Sequence, residues 1–370
     1  MLPPSLIALL KRVSRSFFLS VRVLPEAVAA QIGLAYLLAR AADTIADTDV
    51  LPPTVRLELL SELNDACAGD VAASARLSLA LRKTLGDSAS SVLPSSERTL
   101  LSVLDECIDL LAQVSPSDRA LIAKVLGQLV AGMQTDLRRF PAAGSVHRAE
   151  QVVALQSLDE LDEYTYFAAG CVGEFWTELC AAHLPGLEHL TEPSLQKRGV
   201  ALGKALQLTN VVRDLAADLR IGRCYIPTSL LTKYGLSAGR LFALTAEPPQ
   251  SLAEARALRR LTYDLLRLGI DRCDEAWPYV LAVPTHQVRL RLACAWPLLL
   301  ALDTLTMLGE VGSPLLTPGQ PVKVTRESVY ALVLTTSVST VLGGLMCSDR
   351  QLDAHFQTRR QNAGRSLEAR

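Results

Sequence analysis

Two pairs of aspartates, Asp43/Asp47 and Asp214/Asp218, lie far apart in the chain, each inside a run that otherwise reads as an apolar helix. At a separation of four residues both carboxylates of a pair project from one helical face. Two like charges so placed destabilise an isolated helix by about 0.2–0.5 kcal/mol, so a fold that keeps both pairs must set something cationic against them. Tyr36, Arg40, Asp43 and Asp47 follow steps of four, three and four along LAYLLARAADTIAD and form one polar stripe, while Leu34, Leu37, Leu38 and Ala41 fill the other faces. Gln207, Asn210, Asp214 and Asp218 repeat the device along ALGKALQLTNVVRDLAAD, among Leu206, Leu208, Val211 and Val212. A buried carboxylate without a partner neutralises or unfolds its surroundings. Matched carboxylate stripes on apolar helices suit hard divalent cations, and Mg²⁺ held by a few carboxylates and substrate phosphate oxygens is the usual form. The plainer reading makes each pair a solvated helix face with local salt bridges to Arg40 or Arg213.

The rest of the chain is consistent with helices nearly throughout. Leu, Ala, Val and Arg recur at helical spacing, aromatics are 5% of the residues, and no β-branched alternation is sustained. Helix stops are expected at Pro25, Pro52/Pro53, Pro94, Pro141, Pro185 and Pro227. Although 370 residues would ordinarily suggest more than one domain, no Pro/Gly/Ser linker divides the sequence, so one large helical domain over residues 1–348 is expected. The tail from 349 to 370 is polar and arginine-rich and reads as frayed or disordered.

Four blocks in order carry a resemblance: SRSF from Ser14, YLLARAADTIAD from Tyr36, YTYFAAGCVGEF from Tyr164, and QLTNVVRDLAADLRIGRCYIP from Gln207. Together they resemble the squalene/phytoene synthase family of head-to-head prenyl transferases. The resemblance implies an all-α, single-domain isoprenoid-synthase bundle with a central apolar cavity. It also implies Mg²⁺-dependent ionisation of a prenyl diphosphate, with two or three ions, and condensation through a cyclopropylcarbinyl diphosphate. On that pattern the metal ligands are Asp43, Asp47, Asp214 and Asp218, with Asn210 beside them. Ser14, Arg15, Tyr36, Arg40, Gln207, Arg213 and Arg223 would contact diphosphate, where an arginine fork suits the anion better than a lysine. The family's second motif commonly reads D-x-x-E-D, and Ala217 stands where the glutamate would be, which puts a third carboxylate there in doubt. Relative to the family pattern the stretch before YTYFAAG is long, and residues 68–96 read as an insertion.

An allylic cation formed by loss of diphosphate must be kept from water between apolar walls. Ala168, Ala169, Gly170 and Gly173 make a small-residue face that either leaves room for a prenyl chain or lets two helices pack closely. Closing a cyclopropane requires a proton acceptor; by the family pattern Tyr166 takes that role, with Tyr164 second and diphosphate itself the other candidate. CAWPLLLALDTL and VKVTRESVYALVLTT resemble the C-terminal pattern of squalene synthases, which makes Lys323 and Arg326 candidates for the phosphates of NADPH. GRCYIP reads closer to the phytoene-type version. The balance favours squalene from two farnesyl diphosphates, with phytoene or dehydrosqualene formed without reductant as the alternative, and an inactive homologue acting as a binding protein as a further one.

The net charge of −1 and the lack of a basic block argue against nucleic acid as a partner. Eight cysteines without paired spacing read as reduced thiols of a cytoplasmic protein, and a zinc site is not expected. Residues 329–346 are apolar enough to raise a membrane-spanning alternative, weakened by their threonines, serines and glycines. A water-insoluble product would in either case bring the protein into transient contact with the inner face of a membrane.

Overall fold

The computed structural model describes residues 2–14, 17–48, 51–84, 93–140, 148–311, 322–342 and 349–368. It is built of helices, with one short parallel pairing of two-residue strands, β1 (Val153–Ala154) and β2 (Arg223–Cys224). The chain divides into two compact units: Met1–Pro141 with Glu174–Glu188, and Ala142–Gly173 with His189–Arg370. No linker betrays the division because its second crossing falls inside one continuous helix, between Gly173 and Glu174.

The first unit holds α1 (Pro4–Val13), α2 (Phe17–Val23), α3 (Glu26–Asp47), α4 (Pro53–Ala68), α5 (Val71–Thr84), α6 (Ser95–Ser102), α7 (Leu104–Gln113) and α8 (Pro116–Arg139). Prolines punctuate it as expected: Pro25, Pro52 and Pro94 each stand just before a helix, extended and unable to continue the chain upstream as helix. Pro141 lies outside the described residues. Helix α3 buries Val28, Ile32, Leu34, Leu37, Leu38, Ala41 and Ile45 against α4, α7 and α8. Its C-terminal end is held by Arg56 of α4, 6% exposed, which donates to the Ala46 carbonyl at 2.8 Å. That bond satisfies one of the carbonyls a helix end leaves open and fixes the turn carrying Asp43 and Asp47. Residues 68–96, read as an insertion, supply α5, whose Ala73, Leu77 and Leu81 are buried and which packs on α4; residues 85–92 of that segment lie outside the described residues.

Helix α9 (Leu158–Thr165) runs into a π-helical turn, Tyr166–Gly170, and then into α10 (Cys171–His183), whose last residues belong to the first unit. There His183 meets Asp118 of α8 at 2.7 Å, and Gln31 of α3 donates to the same carboxylate at 3.3 Å. Burial alone would raise the Asp118 carboxyl, but these hydrogen bonds outweigh it and hold the pKa below the ordinary value.

The second unit continues with α11 (Pro193–Arg220), α12 (Thr228–Lys233), α13 (Ala238–Leu244), α14 (Leu252–Ala282), α15 (Val288–Val311), α16 (Arg326–Leu342) and α17 (Asp349–Glu368). Helix α11 packs on α14, α15 and the π-helical turn. The small-residue face serves close backbone approach: a Cβ on Gly203 would lie 2.1 Å from the Ala169 carbonyl oxygen, and one on Gly173 would lie 2.1 Å from that of Gly199. Only glycine fits at either position.

The described part of the tail is helical rather than disordered. Residues 349–368 form α17, with Leu352, Phe356 and Ala363 buried. The Phe356 ring stacks on Trp277 at 4.2 Å, Trp277 donates to Asp353, and Arg359 and Arg360 pair with Asp303 and Asp274. Its average polarity concealed a narrow apolar stripe edged with charges that find partners. Among the described residues the helix long and apolar enough to cross a membrane is α15, and 72% of its most apolar window is buried. Helix α16 covers the first part of 329–346 and is anchored by the Trp296 indole donating to Thr336, while residues 343–348 lie outside the described residues.

Seven cysteines are free and buried, and burial pushes the thiols of Cys67, Cys107, Cys224 and Cys273 up to about 12. These are not nucleophiles. Cys347 lies outside the described residues.

Candidate active site

In the first unit Arg40, Asp43, Thr44, Asp47 and Thr48 line a cavity of about 220 Å³ together with Leu93, Pro94 and Glu97. The stripe read from the sequence therefore opens on a real concavity, closed on the far side by the start of α6. The Asp43 side chain is 39% exposed yet crowded. Burial and then the neighbouring Asp47 push its pKa up to about 6, against the opposing pull of Arg40. Arg40 divides its guanidinium: Nη1 donates to Asp43 and Nη2 to Glu97 at 2.6 Å. Among the described residues, the Arg40 Nε and the Thr48 hydroxyl are buried without a hydrogen-bond partner. Orphaned polar groups beside a cavity are expensive unless something polar enters it.

The remaining expectations in this unit are met unevenly. Tyr36 sits on the stripe, and its hydroxyl reaches the Val13 carbonyl at 3.5 Å. Ser14 is 3% exposed and donates to the Leu10 carbonyl at 2.5 Å, a helix-end bond that commits its proton within α1. Arg15 lies outside the described residues. Glu97 was not singled out in the sequence.

In the second unit α11 carries the other stripe. Gln207 donates to the Tyr164 hydroxyl at 2.9 Å, and Asn210 donates to Gln207 at 3.4 Å, so these side chains form a chain of amides ending on a phenol. Tyr164 also stacks on Tyr225 with 4.2 Å between ring centres. Arg213 grips Asp214 with both arms of its fork, Nε at 2.9 Å and Nη2 at 2.5 Å. The local salt bridges of the plainer reading thus exist at both Asp43 and Asp214. Asp218 follows one turn later on α11, and Arg223 lies in β2, placed by the parallel pairing with Val153.

Tyr166 opens the π-helical turn, a local widening that recurs at functional sites. The ammonium of Lys204, fixed by Asp162 at 2.6 Å, lies 5.7 Å from the centre of its ring. Asp162 is held in turn by Arg272 at 2.7 Å. Neither Lys204 nor the π turn was anticipated; an extra residue in a helical turn leaves no mark in composition. Lys323 and Arg326 are exposed at the beginning of α16, whose first turn is braced by Ser328 N–H donating to the Thr325 hydroxyl. A basic pair at a helix start suits a phosphate.

Among the described residues no three His, Cys, Asp or Glu side chains converge to cage a metal ion. Mg²⁺ needs no such cage, because it is held by one or two carboxylates and completes its shell with water and phosphate oxygens. Asp43, whose charge is destabilised by burial and by Asp47, is a donor that a cation would relieve, so this residue pair fits the ion.

The sequence matches the family described as squalene/phytoene synthase over residues 10–328. The chain belongs to that family. Among curated relatives, it is 31% identical to the 15-cis-phytoene synthase of Enterobacter agglomerans over 154 residues, covering 42% of this chain and 44% of that protein. It is 35% identical to the chloroplastic phytoene synthase 2 of Oryza sativa subsp. japonica over 127 residues, 33% of this chain and 31% of that one. The match therefore spans less than half the length of either relative. In fold, it superimposes on TcSQS in complex with the ligand E5700 with a TM-score of 0.67 and 19% identity, covering 98% and 97% of the two chains. The squalene synthase HpnC from Alicyclobacillus acidocaldarius gives a TM-score of 0.51 at 18% identity, over 84% of this chain and 97% of the other. The all-α isoprenoid-synthase fold expected from the sequence is the fold observed.

Proposed function

We propose that this member of the squalene/phytoene synthase family is a prenyl transferase that joins two farnesyl diphosphates head to head, through presqualene diphosphate, to give squalene with NADPH as reductant. The observation that carries the reaction class is the cavity on α3, where Arg40, Asp43 and Asp47 meet beside orphaned donors, in a chain matched by the family over residues 10–328. Bound Mg²⁺ would neutralise the charge that develops on the departing diphosphate.

The protein's own groups divide the remaining work. Arg40 offers its buried Nε and its fork to diphosphate oxygens, and Arg213 does the same from α11; each must loosen its carboxylate to do so. Asp43 and Asp214, released from those arginines, would hold the cations, as would Asp47 and Asp218. Tyr166 accepts the proton lost as the cyclopropane closes, while Tyr164, already bonded to Gln207 and stacked on Tyr225, orients the amide chain. Lys323 and Arg326 hold the phosphates of NADPH.

A second reading, phytoene or dehydrosqualene formation without reductant, is favoured by the names of the curated relatives, which are phytoene synthases. The test of the shared chemistry is diphosphate release from farnesyl diphosphate by Asp43→Ala and Asp214→Ala. Both variants should lose turnover by at least about 10²-fold while keeping the helical circular dichroism of the parent. Substantial turnover in either would remove the metal-site assignment.

A further inference from the structure

Helix α6 begins on the far wall of the α3 cavity, and its third residue, Glu97, is 18% exposed and accepts from Arg40 Nη2 at 2.6 Å. The guanidinium is thereby stretched between two carboxylates, Asp43 on its own helix and Glu97 across the cavity, with Nε left buried and unpartnered among the described residues. With both outer nitrogens engaged, three of the five guanidinium N–H donors remain, and a diphosphate that takes the full fork must compete with the two carboxylates for it. Asp43 has a reason to let go, since its charge is crowded by Asp47 and a cation would take it. Glu97 also crowds Asp43 from across the cavity, but on α6 its adjoining side chains are Ser95, Ser96, Arg98 and Thr99, with no second carboxylate among them.

The geometry points to Glu97 as a positioning residue that parks Arg40 in the empty site and competes with diphosphate for it. The pair keeps the guanidinium extended across the cavity, where an arriving anion finds it already placed. It also takes the guanidinium back when the anion leaves, which weakens the hold on product diphosphate. This inference rests on the reading of Arg40 as a diphosphate contact.

The test is titration calorimetry of inorganic pyrophosphate, with Mg²⁺ present, into the full-length protein and its Glu97→Gln and Glu97→Asp variants. Both should bind pyrophosphate about tenfold more tightly, the order expected when a partly buried charged hydrogen bond no longer has to be broken. Glu97→Asp keeps the charge but is one methylene too short to span the cavity, so it separates tethering from plain repulsion. In an Arg40→Gln background neither substitution should change the affinity. Unchanged or weakened binding in both variants would overturn the inference. So would tightening confined to Glu97→Gln, or tightening that persists without Arg40. If Arg40→Gln alone left the pyrophosphate affinity of the parent unchanged, the underlying reading of Arg40 would fall instead.

Discussion

Replacing glycine by alanine should have opposite consequences at two helical positions of this chain, for reasons that can be worked from distances. At Gly203 on α11 a new Cβ would lie 2.1 Å from the Ala169 carbonyl oxygen, 2.6 Å from its carbonyl carbon and 3.0 Å from Gly170 Cα. All three are backbone atoms, so no side chain can swing aside, and α11 and the π-helical turn must part by about 1 Å to restore a normal contact. Overpacking a tight core contact costs about 1–3 kcal/mol, and a backbone clash belongs at or above the top of that range. Alanine regains about 1 kcal/mol of helix propensity over glycine, which leaves a net loss of about 2 kcal/mol. At Gly364 on α17 a Cβ meets nothing within 4 Å. There only the propensity gain remains, and stability should rise by about 0.5–1 kcal/mol. Thermal melting of Gly203→Ala and Gly364→Ala against the parent reads both signs, with the first midpoint lower by several degrees and the second higher. A Gly203→Ala protein as stable as the parent would refute the close approach of α11 to the turn that carries Tyr166.

Three further outcomes follow from named contacts. The Asp43 carboxyl, raised from 3.8 to about 6, favours the protonated folded state, so its stability penalty is present in full above pH 6 and relieved as pH falls through 6 toward 4. A rise of that size corresponds to about 3 kcal/mol, which solvent screening of a side chain 39% exposed reduces to about 1 kcal/mol. Denaturation of the chelator-treated protein at pH 7 and pH 5 should show that difference between the parent and Asp43→Asn, and equal pH profiles would contradict it. Phe356→Ala removes a ring that is 2% exposed and stacked on Trp277; about 3–5 kcal/mol should be lost in urea denaturation, and a loss under about 1 kcal/mol would mean that α17 is not docked. Tyr166→Phe should slow formation of presqualene diphosphate by about 10²-fold or more in single-turnover assays, and an unchanged rate would transfer the proton to diphosphate or Tyr164.

The aspartate stripes were legible because helical arithmetic alone places Asp43 and Asp47, or Asp214 and Asp218, on one face, and the cavity on α3 opens along that face. The prolines before α3, α4, α6 and α12 were equally plain, since proline's fixed φ acts locally. Glu97 could not be found the same way. It reaches Arg40 from another helix across 57 positions of sequence, and nothing in SSERTLLS distinguishes it from an ordinary surface glutamate. The π-helical turn at Tyr166 packs on α11 where Gly203 closely approaches Ala169, a tertiary contact that local sequence does not display. The tail misled because its mean polarity is high while the stripe of Leu352, Phe356 and Ala363 that docks it is narrow.

The activity proposed for this protein is a head-to-head condensation completed by a reductant. Purified protein incubated with farnesyl diphosphate and Mg²⁺, with and without NADPH, followed by mass spectrometry of the extracted lipids, tests it most directly. Squalene formed only when NADPH is present is the predicted result. Dehydrosqualene formed regardless of reductant would contradict the squalene assignment, and no C30 product from farnesyl diphosphate or C40 product from geranylgeranyl diphosphate would contradict the head-to-head reaction itself.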